Sequence, residues 1–284
     1  MASHNLARIK IEDYDILGYS VAGEETVIAM PQLDVCFDIG KAPDQLISVN
    51  NCLLTHGHMD HAAGIAYYLS HRKFCGQKPG TVLASENILS CVDDIIKTWG
   101  KLDGTRIPAN LVGMNAGDEY YIKPNLLVRA FATKHSKGSL GFTVVEKKKK
   151  LKEEFLGLSS SEIVALKKKD IAIDYPVETP IVTYLGDTRY MDFAKYDFIA
   201  KSKFLIAECT FVADEHTDRA LAGYHMHVDD FVKMLNELDN QYVIITHLSQ
   251  RTYIVEAKKI LKEKLSPELY QKTILLMDRK HHIK

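Results

Sequence analysis

The stretch LLTHGHMDHAAG, residues 53–64, places His56, His58, Asp60 and His61 within six positions. Imidazole and carboxylate side chains crowded in this way are metal ligands by type. Together they suit zinc, and also manganese or iron, better than calcium or magnesium. His56 and His58 are two residues apart, so on a helix they would point to opposite sides. In a tight loop after a strand they can converge on one ion. Asp60 and His61 follow where the loop enters a helix and can face a second ion. The chain has 12 histidines in 284 residues. The pattern H-x-H-x-D-H would then arise by chance in roughly one such sequence per thousand, which makes coincidence on a polar loop the weaker reading. Two ions need more ligands than four residues supply. TKHSKGSLGF offers His135, YLGDTRY offers Asp187 and THLSQRTY offers His247.

Short apolar strands must carry these side chains. TVIAM (26–30) and LDVCFDIG (33–40) read as a hairpin turning at Pro31 and Gln32, and CLLT (52–55) as a buried strand running into the histidine cluster. HAAGIAYYLSHR (61–72) has helical spacing of Ile65, Tyr68 and Leu69. TVLA (81–84) followed by ENILSCVDDIIKTWG reads as strand then helix, with Ser85 as N-cap and Gly100 as the stop. Further strands are expected at 125–135, 140–146, 179–188, 203–210 and 241–247, and helices at about 191–200, 228–238 and 252–264. His135, Asp187 and His247 each fall at the C-terminal end of an expected strand, as the first cluster does. In layered sheet folds such ends gather at one edge, where sites are built.

Hydrophobic residues make up 46% and charged residues 26%, with a net charge of −1. This is the balance of a globular chain, not of a globally basic nucleic-acid binder, although a local basic patch remains open. The five cysteines (Cys36, Cys52, Cys75, Cys91 and Cys209) are odd in number and widely spaced, with no C-x-x-C. They argue against a disulfide framework and a cysteine zinc site. The N-terminus MASHNLARIKIEDYD has no apolar signal core and no run approaches a membrane span. A reducing, cytoplasmic compartment is expected. The chain reads as a single domain, residues 1–284, with a charged, helical insertion at about 146–170, EKKKKLKEEFLGLSSSEIVALKKKD. That insertion can be a solvated surface segment or an RNA-facing one.

These motifs resemble the metallo-β-lactamase superfamily and, more narrowly, ribonuclease Z, the endonuclease family that matures tRNA 3′ ends. LLTHGHMDHAAG matches the superfamily's signature loop. YLGDTRY and THLSQRTY resemble the Gly-Asp-Thr and Thr-His-x-Ser-x-Arg segments that are more specific to ribonuclease Z. The insertion together with NLVGMNAGDEYYI looks most like the short, plant-type branch. The resemblance implies an α/β fold, a four-layer αββα sandwich, holding two Zn2+ ions. It implies that His56, His58 and His135 bind one ion, that Asp60, His61 and His247 bind the other, and that Asp187 bridges them. Water activated there would attack phosphorus in line, with Asp60 orienting or deprotonating it. The implied substrate is precursor tRNA, cut after the acceptor stem to leave a 3′-hydroxyl and a 5′-phosphate trailer. Family members are homodimers in which an arm of one subunit serves the partner's site.

The chain departs from the family in two places. The usual family arm is long and rich in glycine and proline, whereas the 146–170 insertion is shorter and has no Gly-Pro pair. Where many members have His-Glu-Ala-Thr, with the His as proton donor to the leaving oxygen, this sequence has Ala207-Glu208-Cys209-Thr210. GYHMHVDD supplies His225 and His227 downstream. A Glu208–His225 pair can hold the proton donor in its place, while the plainer alternative has Glu208 buttress a loop. Lys147, Lys148, Lys149 and Lys150 can contact phosphates, and Arg251, four residues after His247, can reach the scissile phosphate or its neighbour. Lys258, Lys259, Lys262 and Lys264 read as one solvated helix face. Two other functions remain open. One is a small-molecule hydrolase on the same scaffold, acting on a phosphodiester, thioester or lactone. The other is a metal-stabilised module without activity.

Overall fold

Alternation along the strands explains the architecture. Leu53 points one way from its strand, into an apolar core with Phe37, Phe142, Val182 and Ile206. Its neighbours Cys52 and Leu54 point the other way, into a second core with Tyr68, Leu69, Val92 and Ile96. A strand with apolar residues on both sides needs cover on both faces, and sheet-on-sheet packing with outer helices provides it. The computed structural model describes residues 6–282, so the first five residues of the N-terminal stretch lie outside it.

The chain begins with β1 (Ala7–Ile11), β2 (Tyr14–Val21), β3 (Glu25–Met30), β4 (Val35–Phe37) and β5 (Asn51–Leu54). Next come α1 (Met59–Ala62), α2 (Ile65–Phe74), β6 (Gly80–Ser85), α3 (Glu86–Leu102) and β7 (Ala109–Met114). These seven strands form one sheet in sequence order, antiparallel through β4 and parallel from β4 to β7. The second sheet repeats the plan. It comprises β8 (Glu119–Lys123), β9 (Leu126–Ala132), β10 (Leu140–Leu151), α4 (Ser160–Lys168), β11 (Asp174–Tyr184) and α5 (Asp197–Ala200). It continues through β12 (Phe204–Glu208), α6 (Thr217–Gly223), α7 (Val228–Leu235), β13 (Tyr242–Thr246), α8 (Ile254–Lys264), α9 (Pro267–Gln271) and β14 (Thr273–Leu275). Strands β8 to β11 are antiparallel and β11 to β14 parallel. A third core, with Leu205, Val243, Phe231, Met234 and Leu261, seals α7 and α8 onto the outer face of this sheet. The order is helix, sheet, sheet, helix. Among the described residues no helix is long and apolar enough to cross a membrane.

Four expectations about elements change. The 146–170 insertion is not chiefly helical. Strand β10 runs on to Leu151 and pairs with β11 back to Asp174, so the lysine run forms one side of a two-stranded arm. Cross-strand ion pairs favour that choice: Lys147 Nζ lies 2.9 Å from Glu178 and Lys149 Nζ 3.5 Å from Asp174. Only α4, closed by a Ser159–Glu162 capping box, is α-helical. Ser85 caps α3 as expected, but Gly100 does not stop it. The helix continues to Leu102, and Gly100 lies where a Cβ would meet the Thr105 carbonyl at 2.7 Å. The helix expected at 191–200 shrinks to α5, because Phe193, Tyr196 and Phe198 dock on Phe131 along an irregular path. The helix at 61–72 is split into α1 and α2 at Ala63 and Gly64. Strands β1, β2, β7, β8 and β14 carry no signal used above.

Candidate metal centre

Every chemistry-bearing segment leaves a strand at the same edge of the sandwich. His56 follows β5, His135 follows β9, Asp187 follows β11 and His247 follows β13. Gly186 turns the chain after β11 with φ +63°, and a Cβ there would press on Thr55 at 2.9 Å, so the Gly-Asp pair lets Asp187 enter the centre. His247 itself holds a left-handed φ of 57° while its N–H donates to Ser20 Oγ at 2.9 Å.

The donor atoms converge. His56, His58 and His135 each offer a nitrogen within 4.8 Å of the others, as do Asp60, His61 and His247 with one atom each. Asp187 sits between the sets. Its Oδ2 lies 3.2 Å from Nε2 of both His61 and His247, and 3.8 Å from Nε2 of His56 and of His135. Asp60 Oδ2 lies 3.5 Å from His247 Nε2 and accepts the Gly23 N–H at 2.8 Å.

The outer hydrogen bonds fix which nitrogen faces inward. Thr55 Oγ1 donates to Asp38, so it accepts from His56 Nδ1 at 2.9 Å. His61 Nδ1 donates to Asp38 Oδ2 at 2.8 Å. Thr210 Oγ1 donates to Glu208 and accepts from His247 Nδ1 at 3.0 Å. His135 Nδ1 donates to the Tyr224 carbonyl at 3.3 Å. Each of these rings therefore turns an Nε2 lone pair toward the carboxylate of Asp187, the outer-shell arrangement of metal-bound histidines. His56 Nε2 is buried with no hydrogen-bond partner among the described residues. Lone pairs facing lone pairs require a cation. The spacings agree: two nitrogens at about 2.05 Å from a tetrahedral ion stand about 3.3 Å apart, and His58–His135 and His61–His247 are 3.1 and 3.4 Å apart. The cluster fits a divalent metal.

The electrostatics agree. Burial and the neighbouring His61 hold His56 well below the usual imidazole range. Burial would raise Asp187, but His247 and His61 hold it well below the carboxylate range. Burial lowers His61, yet Asp187 and Asp38 outweigh it and raise the pKa, so the site asks for positive charge at that ring. Burial pulls His225 down, while the Glu208 charge and hydrogen bond raise it to about 9.

An open cleft of about 640 Å³ leads to the centre, lined by His58, Asp60, Asp187, His225, His247 and Arg251 among others. Glu208 is both a buttress and a partner. Its carboxylate accepts the N–H groups of Thr188 at 2.6 Å and Met226 at 3.1 Å, and faces His225 Nδ1 at 3.1 Å. Ala207 lies in the apolar layer under α7, away from the cleft, so the departure at this position alters no cleft group. The arm lysines are elsewhere. Lys147 pairs with Glu178 and Glu119, Lys148 with Glu146 and Lys149 with Asp174, while Lys150 is exposed. Lys258 pairs with Asp278, and Lys264 with Asp214 and Asp229, so that helix face is partly latched. Sequence reasoning missed Asp38, Thr55, Thr210, Ser20 and Gly23. Asp38 did leave a signal, a carboxylate inside the apolar run VCFDIG.

The layered fold and its edge cluster define a metallohydrolase scaffold of the β-lactamase type. A profile of the beta-lactamase superfamily domain matches residues 28–248. The fold is similar to that of YhfI, a metallo-beta-lactamase fold protein from Bacillus subtilis (TM-score 0.61, 15% identity, 90% of this chain and 92% of that one). It is also similar to human tRNase Z, short form (TM-score 0.55, 18% identity, 93% and 88%). In sequence it is 35% identical to tRNase Z TRZ1 of Arabidopsis thaliana over 252 residues, covering 87% of this chain and 90% of the relative. The chain belongs to the beta-lactamase superfamily and, within it, to the tRNase Z (ribonuclease Z) family.

Proposed function

We propose that this protein is a metal-dependent endoribonuclease that removes 3′ trailers from precursor tRNA, hydrolysing one phosphodiester to leave a 3′-hydroxyl on the tRNA and a 5′-phosphate on the trailer. The observation that carries the reading is the cleft: ligating side chains converge at its base while Arg251 and the Glu208–His225 pair flank it, in a chain of the tRNase Z family. Residues 1–284 act as one domain, with the two sheets sharing a core and the β10–β11 arm as an excursion.

His56, His58 and His135 would hold one Zn2+, Asp60, His61 and His247 the second, and Asp187 both; manganese or iron would accept the same donors. When bound, such ions neutralise charge on phosphoryl oxygens and lower the pKa of water. The chain's own residues do the rest. Burial would raise the Asp60 carboxyl, but His247 and His61 hold it below the usual range, so it stays ionised and orients the attacking water by accepting its hydrogen bond. His225, held protonated at neutral pH by Glu208, donates its proton to the leaving O3′. Arg251 pairs with a phosphate.

The arm supports a homodimer. Leu140 starts β10 at the metal edge, donating its N–H to the Thr55 carbonyl at 3.0 Å. Leu151, eleven residues on, lies roughly 36 Å away at about 3.3 Å per residue, so Lys147 to Lys150 lie far from their own centre and would serve a partner's substrate instead. A second feature favours self-association. The solvent side of α3 carries Ile95, Trp99 (53% exposed) and Leu102 (75% exposed), beside Tyr67 and Phe74 of α2. Lys97, Lys101, Asp94 and Asp103 mix both signs around it, which suits a self-complementary two-fold contact better than RNA or lipid. A reducing compartment such as the cytoplasm accompanies this reading, supported by free thiols at exposed Cys75 and Cys91.

The test is cleavage of a 3′-extended precursor tRNA and, in parallel, of bis(p-nitrophenyl) phosphate, each with zinc or manganese and again after chelation. A single metal-dependent cut after the acceptor stem is expected. Hydrolysis of the small ester with no tRNA cut would replace this reading with a small-molecule phosphodiesterase.

A further inference from the structure

Beside the centre lies a pair with no part in holding metal. The Arg189 guanidinium carbon lies 5.1 Å from the centre of the Tyr224 ring. Among the described residues no carboxylate pairs with Arg189. Tyr224 is 46% exposed and holds a left-handed φ of 54°, a conformation that costs a bulky residue free energy. Both residues are tied to the centre. The Tyr224 carbonyl accepts from His135 Nδ1 at 3.3 Å, and the Arg189 N–H donates to the Lys134 carbonyl at 3.2 Å. The next residue after Tyr224 is His225.

We propose that Tyr224 and Arg189 form the subsite for the ribonucleotide on the 5′ side of the scissile bond, its base stacking on the exposed part of the Tyr224 ring and its 5′ phosphate pairing with Arg189. The inference rests on the proposed activity and fixes the direction of the RNA across the site. Hydrolysis breaks the P–O3′ bond, and the O3′ that takes up the proton stays on the upstream nucleotide. The acid must touch that oxygen, so the upstream ribose lies against His225. Tyr224 is the adjoining aromatic face, and a base stacks on it whatever its identity. The unpaired guanidinium beside the ring matches the phosphate that precedes this nucleotide. In-line attack puts the incoming water, oriented by Asp60, on the face of phosphorus opposite the leaving O3′. Arg251 lines the same cleft and is left to contact the trailer.

The test combines enzyme and substrate changes. Precursor tRNA would be made intact, abasic at the nucleotide just 5′ of the cut, and abasic just 3′ of it, and kcat/KM measured with wild type, Tyr224→Ala, Tyr224→Phe and Arg189→Ala. Wild type is expected to lose about tenfold on the 5′-abasic RNA. Tyr224→Ala should lose a similar factor on intact RNA and nothing further on the 5′-abasic RNA, while its loss multiplies with that of the 3′-abasic RNA. Tyr224→Phe should restore the intact rate, and Arg189→Ala should act through KM. Wild type indifferent to the 5′ base, or a Tyr224→Ala loss that multiplies with the 5′-abasic loss, would overturn the subsite while leaving the activity standing. Wild type that cuts none of the RNAs would overturn the activity itself and the subsite with it.

Discussion

At the scale of single residues, the centre depends on groups that touch no metal. Thr210 Oγ1 accepts from His247 Nδ1 and donates its own hydroxyl proton to Glu208, and Glu208 in turn faces His225. One hydroxyl therefore ties a ligand to the proposed acid. Thr210→Val should weaken metal binding by about 10- to 100-fold, read by competition with a chromophoric chelator; unchanged affinity would remove Thr210 from the outer shell. Asp60→Ala deletes both a proposed ligand and the group proposed to orient water. Loss of at least about a hundredfold in precursor cleavage is expected, and full activity in that variant would sink the mechanism.

At the scale of elements, the site is made where strand ends from the two sheets meet. Tyr184, the last residue of β11, donates its hydroxyl to Asp38 Oδ2 at 3.0 Å, and Asp38 follows β4 in the other sheet. Asp38 is fully buried and also receives Thr55 and His61. The hydrogen bond thus latches the sheets at the edge that carries the metal centre. Tyr184→Phe should cost about 1–2 kcal/mol, measured as a lower midpoint in urea with an unchanged slope. A midpoint equal to wild type would mean that the latch contributes nothing net.

At the scale of the whole molecule, the two sheets repeat one plan, and their joined edges supply the proposed ligands from both: His56, His58, Asp60 and His61 from one, His135, Asp187 and His247 from the other. The outer layer over the first sheet ends in the exposed apolar stripe of α3. The pair Trp99→Asp and Leu102→Asp should convert a dimer to a monomer in sedimentation, with the thermal midpoint little changed, because neither side chain is in the core. A protein that sediments as a monomer before substitution would end the dimer reading.

The sequence by itself marked the candidate ligands and the positions of most strands. H-x-H-x-D-H, the Gly-Asp turn and His247 are local patterns: two-residue spacing in a loop and placement at strand ends follow from the chain alone. The strand signals at CLLT, LIAECT and YVIIT held because residues buried on both faces leave an unbroken apolar run. Only the tertiary structure decided the rest, for one physical reason. Most of the deciding partners lie outside the stretch that a local pattern spans. The lysine run became a strand because Glu178 and Asp174 face it from across the arm. Gly100 stayed helical because Thr105 packs where its side chain would be. The inward-facing nitrogens were set by Asp38, Thr55 and Thr210, Gly23 reaches Asp60 across 37 residues, and Ser20 reaches His247 from the opposite end of the sequence. No periodicity encodes such contacts, because each joins residues that a local pattern does not relate, and the Ser20–His247 bond forms only once the two sheets have closed on each other.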